Sequence, residues 1–489
     1  MKPHTMYLSL FLFAASCTFC FGQDDTNTSY EVGFKYFKTY DYSREYTLKK
    51  DTIPRPLLIH FWYPSENISD TEKMNFKQYI ELITVREDYS KSMEAIESES
   101  YNFIDAYAGF AKSNYRIGLN CSTQEILDSP VKASLGIPPV RGNFPLIIYA
   151  PSNSKMPVQN HLICEHLASK GYYVISVASA GKNSLQRKDP AQSILAQVED
   201  MEFILEYMER NAAIRYSGIG LFSFSTGGLA GSIFQMKHPE VEAVCSLDGS
   251  HEYSFYIYLS KLQEFNLDKT NVPYYVLVNK DVASVYPYYN SSHSSYKIAS
   301  RMPLLGHFGF VSFWTYFDQV KPDSVLHKNS ISYQYMSENV LDFFDATLKN
   351  KENSSLKLQS SVSKRSEFMI PAKLEYPYSS ALLTTYLHEN IDSAVSLYRT
   401  NMASHSNFYT EEEIRNLGRM LLDYDLSAAE KIFELNQEAY ADSWHVYFDL
   451  AFVYKLKGDK VLALKTLEIA EEKDPANPDV KYLREELEQ

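Results

Sequence analysis

One repeated pattern constrains the fold of this chain more than any other feature: between residues 144 and 301, short apolar runs alternate with longer helix-like segments. The runs are short, bounded by turn residues and rich in β-branched and aromatic side chains, so they predict buried strands. Strands separated by helices need crossover connections, which predicts an α/β fold with a mostly parallel, doubly wound sheet. The predicted strands are 144–150, 172–177, 217–222, 241–247, 272–278 and 297–301.

The segments between these strands carry the boundary residues expected of helices. Gly171 follows the helical pattern of 157–169, at the position where glycine commonly ends a helix. Asp189 precedes 190–210, where its carboxylate can cap the first turn. The predicted sheet domain is completed by two outlying elements, a strand at 55–64 and a helix at 337–349.

The chain has 489 residues, which is too long for one compact domain. An α/β domain is predicted for 30–349, and within it the aromatic, helix-prone segment 73–135 is predicted to be an insertion that lines a pocket. Residues 350–371 are rich in Ser and Lys and predict a linker. Residues 372–489 show a helical pattern without strand signals, so they predict an all-α domain.

The amino terminus predicts export. An apolar run follows Lys2 and is too short to span a bilayer, so 1–22 is interpreted as a signal peptide that is cleaved after Gly22. The four residues 14–17 also resemble a weak lipobox, which would leave a lipid on Cys17. The protein is therefore expected to be secreted or periplasmic, with lipid anchoring through Cys17 as the alternative.

Charge and cysteine content exclude several function classes. A formal net charge of −14 argues against a nucleic-acid partner, because a polyanion selects basic surfaces. Beyond the signal, Cys121, Cys164 and Cys245 are too few for a disulfide framework. Cys164 and Cys245 lie in apolar patterns and are expected to be buried. No spacing of Cys or His resembles a zinc site, and no cofactor is implied.

Ser225 is the candidate nucleophile. It lies in 223–228 (SFSTGG), directly after a predicted strand and before a helix. The nucleophile elbow, usually Gly-x-Ser-x-Gly, needs small residues around its serine because the turn is sharp. Gly227 supplies the second small residue, and Ser223 replaces the first glycine.

Two later residues follow Ser225 in the order of a Ser-Asp-His triad. Asp248 ends the next strand, at the sheet edge where ligands bind, and His307 follows the last predicted strand. Ser225 would attack a carbonyl carbon, His307 would take and return the proton, and Asp248 would orient the imidazole. Such a triad cleaves carboxylic esters through an acyl-enzyme.

Other residues remain as alternatives for the acid and the base. Asp281 follows the next strand and could replace Asp248, although the neighbouring Lys280 favours a solvated turn. His251 lies three residues from Asp248 and lacks the placement after a strand, and His293 lies in a polar loop.

Stabilisation of the oxyanion needs two backbone N–H donors. One is expected at Thr226, the residue after the nucleophile, and the other in the loop after 144–150. Pro151 has no N–H, so Asn153 is preferred, with Ser152 as the alternative.

Residues 55–349 resemble the dienelactone-hydrolase and platelet-activating-factor acetylhydrolase branch of the α/β hydrolases. This resemblance implies the α/β-hydrolase fold and a serine esterase, and in the acetylhydrolase subgroup the acid follows the strand after the elbow, which favours Asp248. The chain departs from that family at Ser223 and at Pro151-Ser152, where the family has a glycine and His-Gly. The resemblance is carried by 55–64, 145–150, 166–174, 197–205, the elbow and Leu247-Asp248.

The C-terminal region resembles tetratricopeptide repeats. The resemblance implies stacked helix pairs, which form either a peptide-binding surface or a structural appendage. A less regular copy precedes the best one, and 379–398 is a candidate third copy. The matching positions are Leu417, Gly418, Leu421, Ala429 and Phe433 in the first, and Tyr447, Leu450, Ala451, Tyr454, Gly458, Ala463, Leu467, Ala470 and Pro475 in the second.

Two hypotheses of function follow. The first is an exported esterase whose substrate is a small-molecule, lipid-derived or sugar-linked ester. The second is a catalytically impaired, hydrolase-like interaction protein that binds a protein partner through its C-terminal repeats, and it is motivated by the altered oxyanion loop.

Overall fold

A computed structural model of the chain describes residues 29–67, 71–115, 121–152, 156–179, 181–184, 189–211, 214–280, 284–294, 296–349, 367–405 and 408–488. Ten strands in these ranges form one sheet with the order β10-β9-β8-β7-β6-β4-β5-β2-β1-β3. The strands are β1 (Glu31–Leu48), β2 (Asp51–Ser65), β3 (Ala133–Leu135), β4 (Phe144–Ala150), β5 (Tyr173–Val177), β6 (Tyr216–Phe224), β7 (Val241–Leu247), β8 (Tyr274–Val278), β9 (Lys297–Arg301) and β10 (Ile370–Pro371).

The central strands confirm the predicted α/β fold. The six strands from β4 to β9 are parallel to one another, and β2 and β10 pair antiparallel with β5 and β9. Because β4 to β9 run in one direction, their carboxyl ends meet at one edge of the sheet, where the loops can carry a site.

Helices connect the strands, and two predicted boundaries are confirmed. Gly171 follows α4 with φ +83°, and the Asp189 carboxylate accepts hydrogen bonds from the first N–H groups of α5. The helices of this part are α1 (Phe76–Thr84), α2 (Met93–Tyr115), α3 (Thr123–Asp128), α4 (His161–Ser169), α5 (Pro190–Asn211), α6 (Gly227–Lys237), α7 (Tyr256–Leu259), α8 (Pro287–Ser291), α9 (Ser312–Val320) and α10 (Ser324–Leu348).

Side chains of the parallel strands alternate between two apolar cores, one on each face of the sheet. In β4, Ile147 and Tyr149 belong to the first core, whereas Leu146 and Ile148 belong to the second. The first core is covered by α1, α4, α9 and α10, and the second by α5 and α6. Cys164 and Cys245 lie in the first core, which confirms that they are buried.

The long hairpin of β1 and β2 extends the sheet beyond the predicted strands. The predicted strand 55–64 is part of β2, which continues through Pro64 to Ser65. Proline lacks the N–H that an interior ladder needs. Here the ladder between β2 and β5 spans Ile59 to Trp62, so Pro64 lies outside it and pairs only with β1.

Seven helices among the described residues form the C-terminal region. The first five contribute to the second core of the sheet, whereas the last two pack with the fifth in a third apolar cluster. Leu382 and Leu383 of the first of these helices lie in the same buried cluster as Tyr286 and Val276 of the sheet domain. Gly418 lies where a Cβ would meet the Phe433 ring, so the third and fourth helices approach closely. The helices are α11 (Pro377–His388), α12 (Ile391–Ser404), α13 (Glu411–Leu421), α14 (Leu426–Ala439), α15 (Trp444–Leu456), α16 (Lys460–Lys473) and α17 (Pro478–Glu488).

The last residues of the segment predicted as a linker form a strand instead. Residues 350–366, like the predicted signal at 1–22, lie outside the described residues. Ile370 and Pro371 pair antiparallel with Arg301 and Ser300, so the end of the segment is an edge strand of the sheet. A two-residue strand has no periodicity that a sequence pattern could show. In the part of the chain that the structure describes, no helix combines the length and apolarity needed to cross a membrane.

Candidate active site

Ser225 lies in a sharp turn between β6 and α6, at the carboxyl edge of the parallel strands. Its φ of +55° is in the left-handed region, which non-glycine residues rarely adopt. Such strain persists where the surroundings fix the backbone. Here the Ser225 N–H donates to the Leu247 carbonyl at 3.1 Å, and its carbonyl accepts from the Ser250 N–H at 2.9 Å.

Close packing behind the turn explains the small residues on both sides of Ser225. A Cβ on Gly227 would lie 2.1 Å from the carbonyl oxygen of Ala150, at the end of the neighbouring strand β4. Ser223, which stands where the elbow usually has its first glycine, is buried and pairs with Ala150 in the sheet. The serine at this position therefore fits the turn.

The structure brings the three predicted triad residues into one hydrogen-bonded chain. The Ser225 Oγ lies 3.0 Å from Nε2 of His307. The other ring nitrogen of His307, Nδ1, lies 2.5 Å from Oδ2 of Asp248. One ring nitrogen thus faces a hydroxyl and the other faces a carboxylate, as proton transfer from a serine requires.

Asp248 is fully buried and is surrounded by hydrogen-bond donors. It follows β7 with φ +45°, and its own N–H donates to the Leu277 carbonyl of β8. Oδ1 accepts from the hydroxyl of Tyr253 at 2.5 Å and from the backbone N–H of Asn279 at 3.1 Å. The side-chain amide of Asn279 donates to both carboxylate oxygens. These bonds replace water around a buried carboxylate, which would otherwise be costly.

His307 begins a short 3₁₀ turn, His307–Phe310, that follows β9. Its ring stacks on Phe224 of β6, with 5.2 Å between centroids and 25° between planes. The indole N–H of Trp314 donates to the Phe308 carbonyl and holds the turn against α9. The side chain of His307 remains 39% exposed, so a substrate and the imidazole can meet at the surface.

Of the two predicted oxyanion donors, the structure describes Thr226 but not Asn153. Thr226 is the N-cap of α6, and among the described residues its N–H donates to no acceptor, so it is available to a ligand. The positive end of the helix dipole favours an anion there. Asn153 lies outside the described residues. The alternative, Ser152, is buried beside it, with its hydroxyl donating to Gln159.

Of the alternative residues, the two described histidines, His251 and His293, make contacts outside this chain. Asp281 lies outside the described residues. His251 is buried with Nε2 at 2.7 Å from the Tyr274 hydroxyl, and burial lowers the pKa of His251 to about 3. His293 is exposed and lies 3.6 Å from Asp268.

Two residues of the site were not identified from sequence. Tyr253 lies five residues after Asp248 in a turn, and its role depends on how the chain folds back onto the carboxylate. Asn279 directly follows β8, beside the strand end that carries Asp248. Its place at the carboxyl end of a parallel strand was a usable signal, because neighbouring strand ends meet at that edge.

Among its described residues, the site has no arrangement suited to a metal ion. Within the described ranges, no group of three or more His, Cys, Asp or Glu side chains is placed to hold one. The polar side chains around Asp248 instead donate hydrogen bonds to it.

No protein-family model and no curated protein sequence matches the chain. Among solved structures, the chain is similar to a ferulic acid esterase from Streptomyces cinnamoneus, with 17% sequence identity and a TM-score of 0.46. That similarity covers 67% of this chain and 92% of the esterase.

Proposed function

We propose that this protein is a serine hydrolase that cleaves carboxylic esters, with Ser225 as nucleophile, His307 as general base and Asp248 as the acid that orients it. The observation that carries the proposal is the chain of hydrogen bonds from Ser225 through His307 to the buried Asp248. The strained backbone of Ser225 at the strand–helix turn supports it, because such strain concentrates at functional sites.

In the first half of the reaction, the Ser225 Oγ attacks the ester carbonyl carbon while Nε2 of His307 takes the hydroxyl proton. The carbonyl π electrons move to its oxygen, and the N–H of Thr226 donates to this oxyanion. When the tetrahedral intermediate collapses, the bond to the alcohol oxygen breaks. His307 returns its proton to that oxygen, and the acyl group stays on Ser225.

In the second half, a water molecule gives its proton to His307 and attacks the acyl carbon. Collapse of this second intermediate breaks the bond to the Ser225 Oγ, which regains the proton from His307. Asp248 orients the imidazole and stabilises the imidazolium that forms twice. Asn153 is proposed as the second oxyanion donor, with Ser152 as the alternative.

The location of the enzyme, the role of its C-terminal helices and its substrate class are proposed from the sequence. A signal peptide at 1–22 would place the enzyme outside the cytoplasm, secreted or periplasmic, or anchored through Cys17. The C-terminal helices would form tetratricopeptide-like repeats that are available to a protein partner. Small-molecule, lipid-derived and sugar-linked esters are the proposed substrate classes.

A panel of p-nitrophenyl esters of rising acyl length tests the function and narrows the substrate. Wild type should release p-nitrophenol, and Ser225→Ala should lose the activity by several orders of magnitude. Absence of hydrolysis across the panel, or full activity in Ser225→Ala, would contradict the proposal.

The identity of the acid is tested with a matched pair of variants. Asp248→Asn should lower kcat by about 10⁴-fold, because an amide cannot stabilise the imidazolium. Asp281→Asn, the same change at the alternative acid, should leave kcat within a few-fold of wild type. The reverse result would assign the acid to Asp281.

A further inference from the structure

A hydrogen bond holds the Asp248 carboxylate at Oδ1, the oxygen that faces away from His307. Oδ2 faces Nδ1 of His307, and Oδ1 accepts from the Tyr253 hydroxyl at 2.5 Å. A hydrogen bond to a charged group at this length belongs to the stronger class. With a donor on each oxygen, the carboxylate cannot rotate away from the imidazole without breaking one of them.

Tyr253 is suited to act only as a donor in this pair. Burial, together with the negative charge of Asp248, raises the pKa of Tyr253 well above its usual range. The phenol therefore keeps its proton near neutral pH. Glu252 and Tyr286 also lie near the phenol, and both raise that pKa further.

The backbone of Tyr253 is fixed to the nucleophile itself. Its N–H donates to the Ser250 carbonyl at 3.2 Å, and the N–H of Ser250 donates to the Ser225 carbonyl at 2.9 Å. On its other side, its ring lies 6.5 Å from that of Tyr286, which stacks on Tyr376 just before α11. Tyr253 is therefore held between the elbow and the C-terminal helical region.

We propose that Tyr253 is a positioning residue for the proposed reaction, one that keeps the Asp248 carboxylate aligned with His307 and acts on catalysis only through Asp248. This inference rests on the proposed esterase function. Tyr253 does not contact the ester; its hydroxyl fixes Oδ1 so that Oδ2 faces the imidazole.

A double-mutant cycle tests this role, because residues that act as one unit have non-additive effects. Tyr253→Phe, which removes only the hydroxyl, should lower kcat by about tenfold to a hundredfold with KM within twofold of wild type. In the Asp248→Asn background, the same change should lower kcat less than twofold further. Kinetics with the most reactive p-nitrophenyl ester give both numbers.

A matched control separates this role from loss of a buried hydroxyl in general. Tyr296→Phe removes a buried hydroxyl with no hydrogen-bond partner among the described residues, just before β9 and at the opposite edge of the sheet. It should leave kcat unchanged. Thermal unfolding of all variants shows that the assays compare folded proteins.

The outcomes distinguish this inference from the function on which it rests. An unchanged kcat in Tyr253→Phe, or an equal drop in both backgrounds, would overturn the positioning role and leave the esterase intact. A wild type without ester hydrolysis would overturn the function and the inference together.

Discussion

The side-chain nitrogen of Asn279 lies 3.0 Å from Oδ1 and 2.8 Å from Oδ2 of Asp248, and so bridges both oxygens of the proposed catalytic acid. The two residues directly follow neighbouring parallel strands, β7 and β8. The position that follows β7 thus carries the carboxylate, and the corresponding position after β8 carries a neutral donor for it.

Replacement of Asn279 by leucine tests how much this hydrogen-bonded bridge contributes to stability and to kcat. Asn279→Leu keeps the branched shape of the side chain and removes its amide donors to a buried carboxylate. We expect the free energy of unfolding to fall by about 1–3 kcal/mol, measured by urea denaturation, and kcat to fall by at least about tenfold. The backbone N–H of Asn279 would remain on Oδ1, so the fold should persist. Unchanged stability and unchanged kcat would show that the bridge is unimportant.

Two glycine substitutions test the close packing behind the elbow. Gly227→Ala would place a Cβ 2.1 Å from the backbone oxygen of Ala150, which cannot move aside without displacing β4. We expect a loss of stability of about 1–3 kcal/mol and loss of activity. Gly109→Ala is the control, because its Cβ would meet no atom within 4 Å on the exposed side of α2. It should stabilise the protein by up to about 1 kcal/mol, since alanine favours helices. Thermal unfolding of both variants measures their stabilities relative to wild type. Equal changes in stability for the two variants would contradict the predicted clash behind the elbow.

A buried glutamate predicts how stability depends on pH. Glu165 of α4 is fully buried, accepts a hydrogen bond from Tyr79, and has its pKa raised by burial to about 7 from the ordinary 4.5. Between these values the unfolded chain releases a proton that the folded chain retains. Stability from this group is therefore present below about pH 4.5 and is lost as the pH rises to about 7, by about 3 kcal/mol.

The variant Glu165→Gln cannot ionise and should lack this loss. The unfolding free energy of Glu165→Gln minus that of wild type should therefore increase between pH 5 and pH 8, as followed by urea denaturation. The exposed Glu94→Gln in α2 is the control, and its difference from wild type should stay constant. A constant difference for Glu165→Gln as well would contradict the predicted effect of burial.

The parts of the fold that the sequence predicted are those with strong local signals. The boundaries of β4, β7 and β9 agree with the predicted 144–150, 241–247 and 297–301, because each is a short run bounded by turn residues. β1 escaped prediction because it lies near an edge of the sheet, where its side chains are partly exposed and its apolar pattern is mixed. β10 consists of two residues, which is too short for any pattern.

The residues of the candidate site also differ in whether the sequence could predict them. Ser225, Asp248 and His307 were predictable because a parallel sheet places the ends of its strands together, so chain order alone indicates their meeting. Tyr253 was not predictable, because its contact with Asp248 depends on a turn whose path no local pattern specifies. Asn279 was passed over because a neutral amide carries no chemistry of its own until a buried carboxylate is placed beside it.

The most direct test of the central claim is labelling of the intact protein with a fluorophosphonate probe, followed by mass mapping of the modified peptide. The account predicts one adduct per chain, on Ser225, and no labelling of Ser225→Ala or of protein unfolded before treatment. Labelling that persists in Ser225→Ala, or a wild type that the probe does not modify, would contradict the assignment of Ser225 as nucleophile.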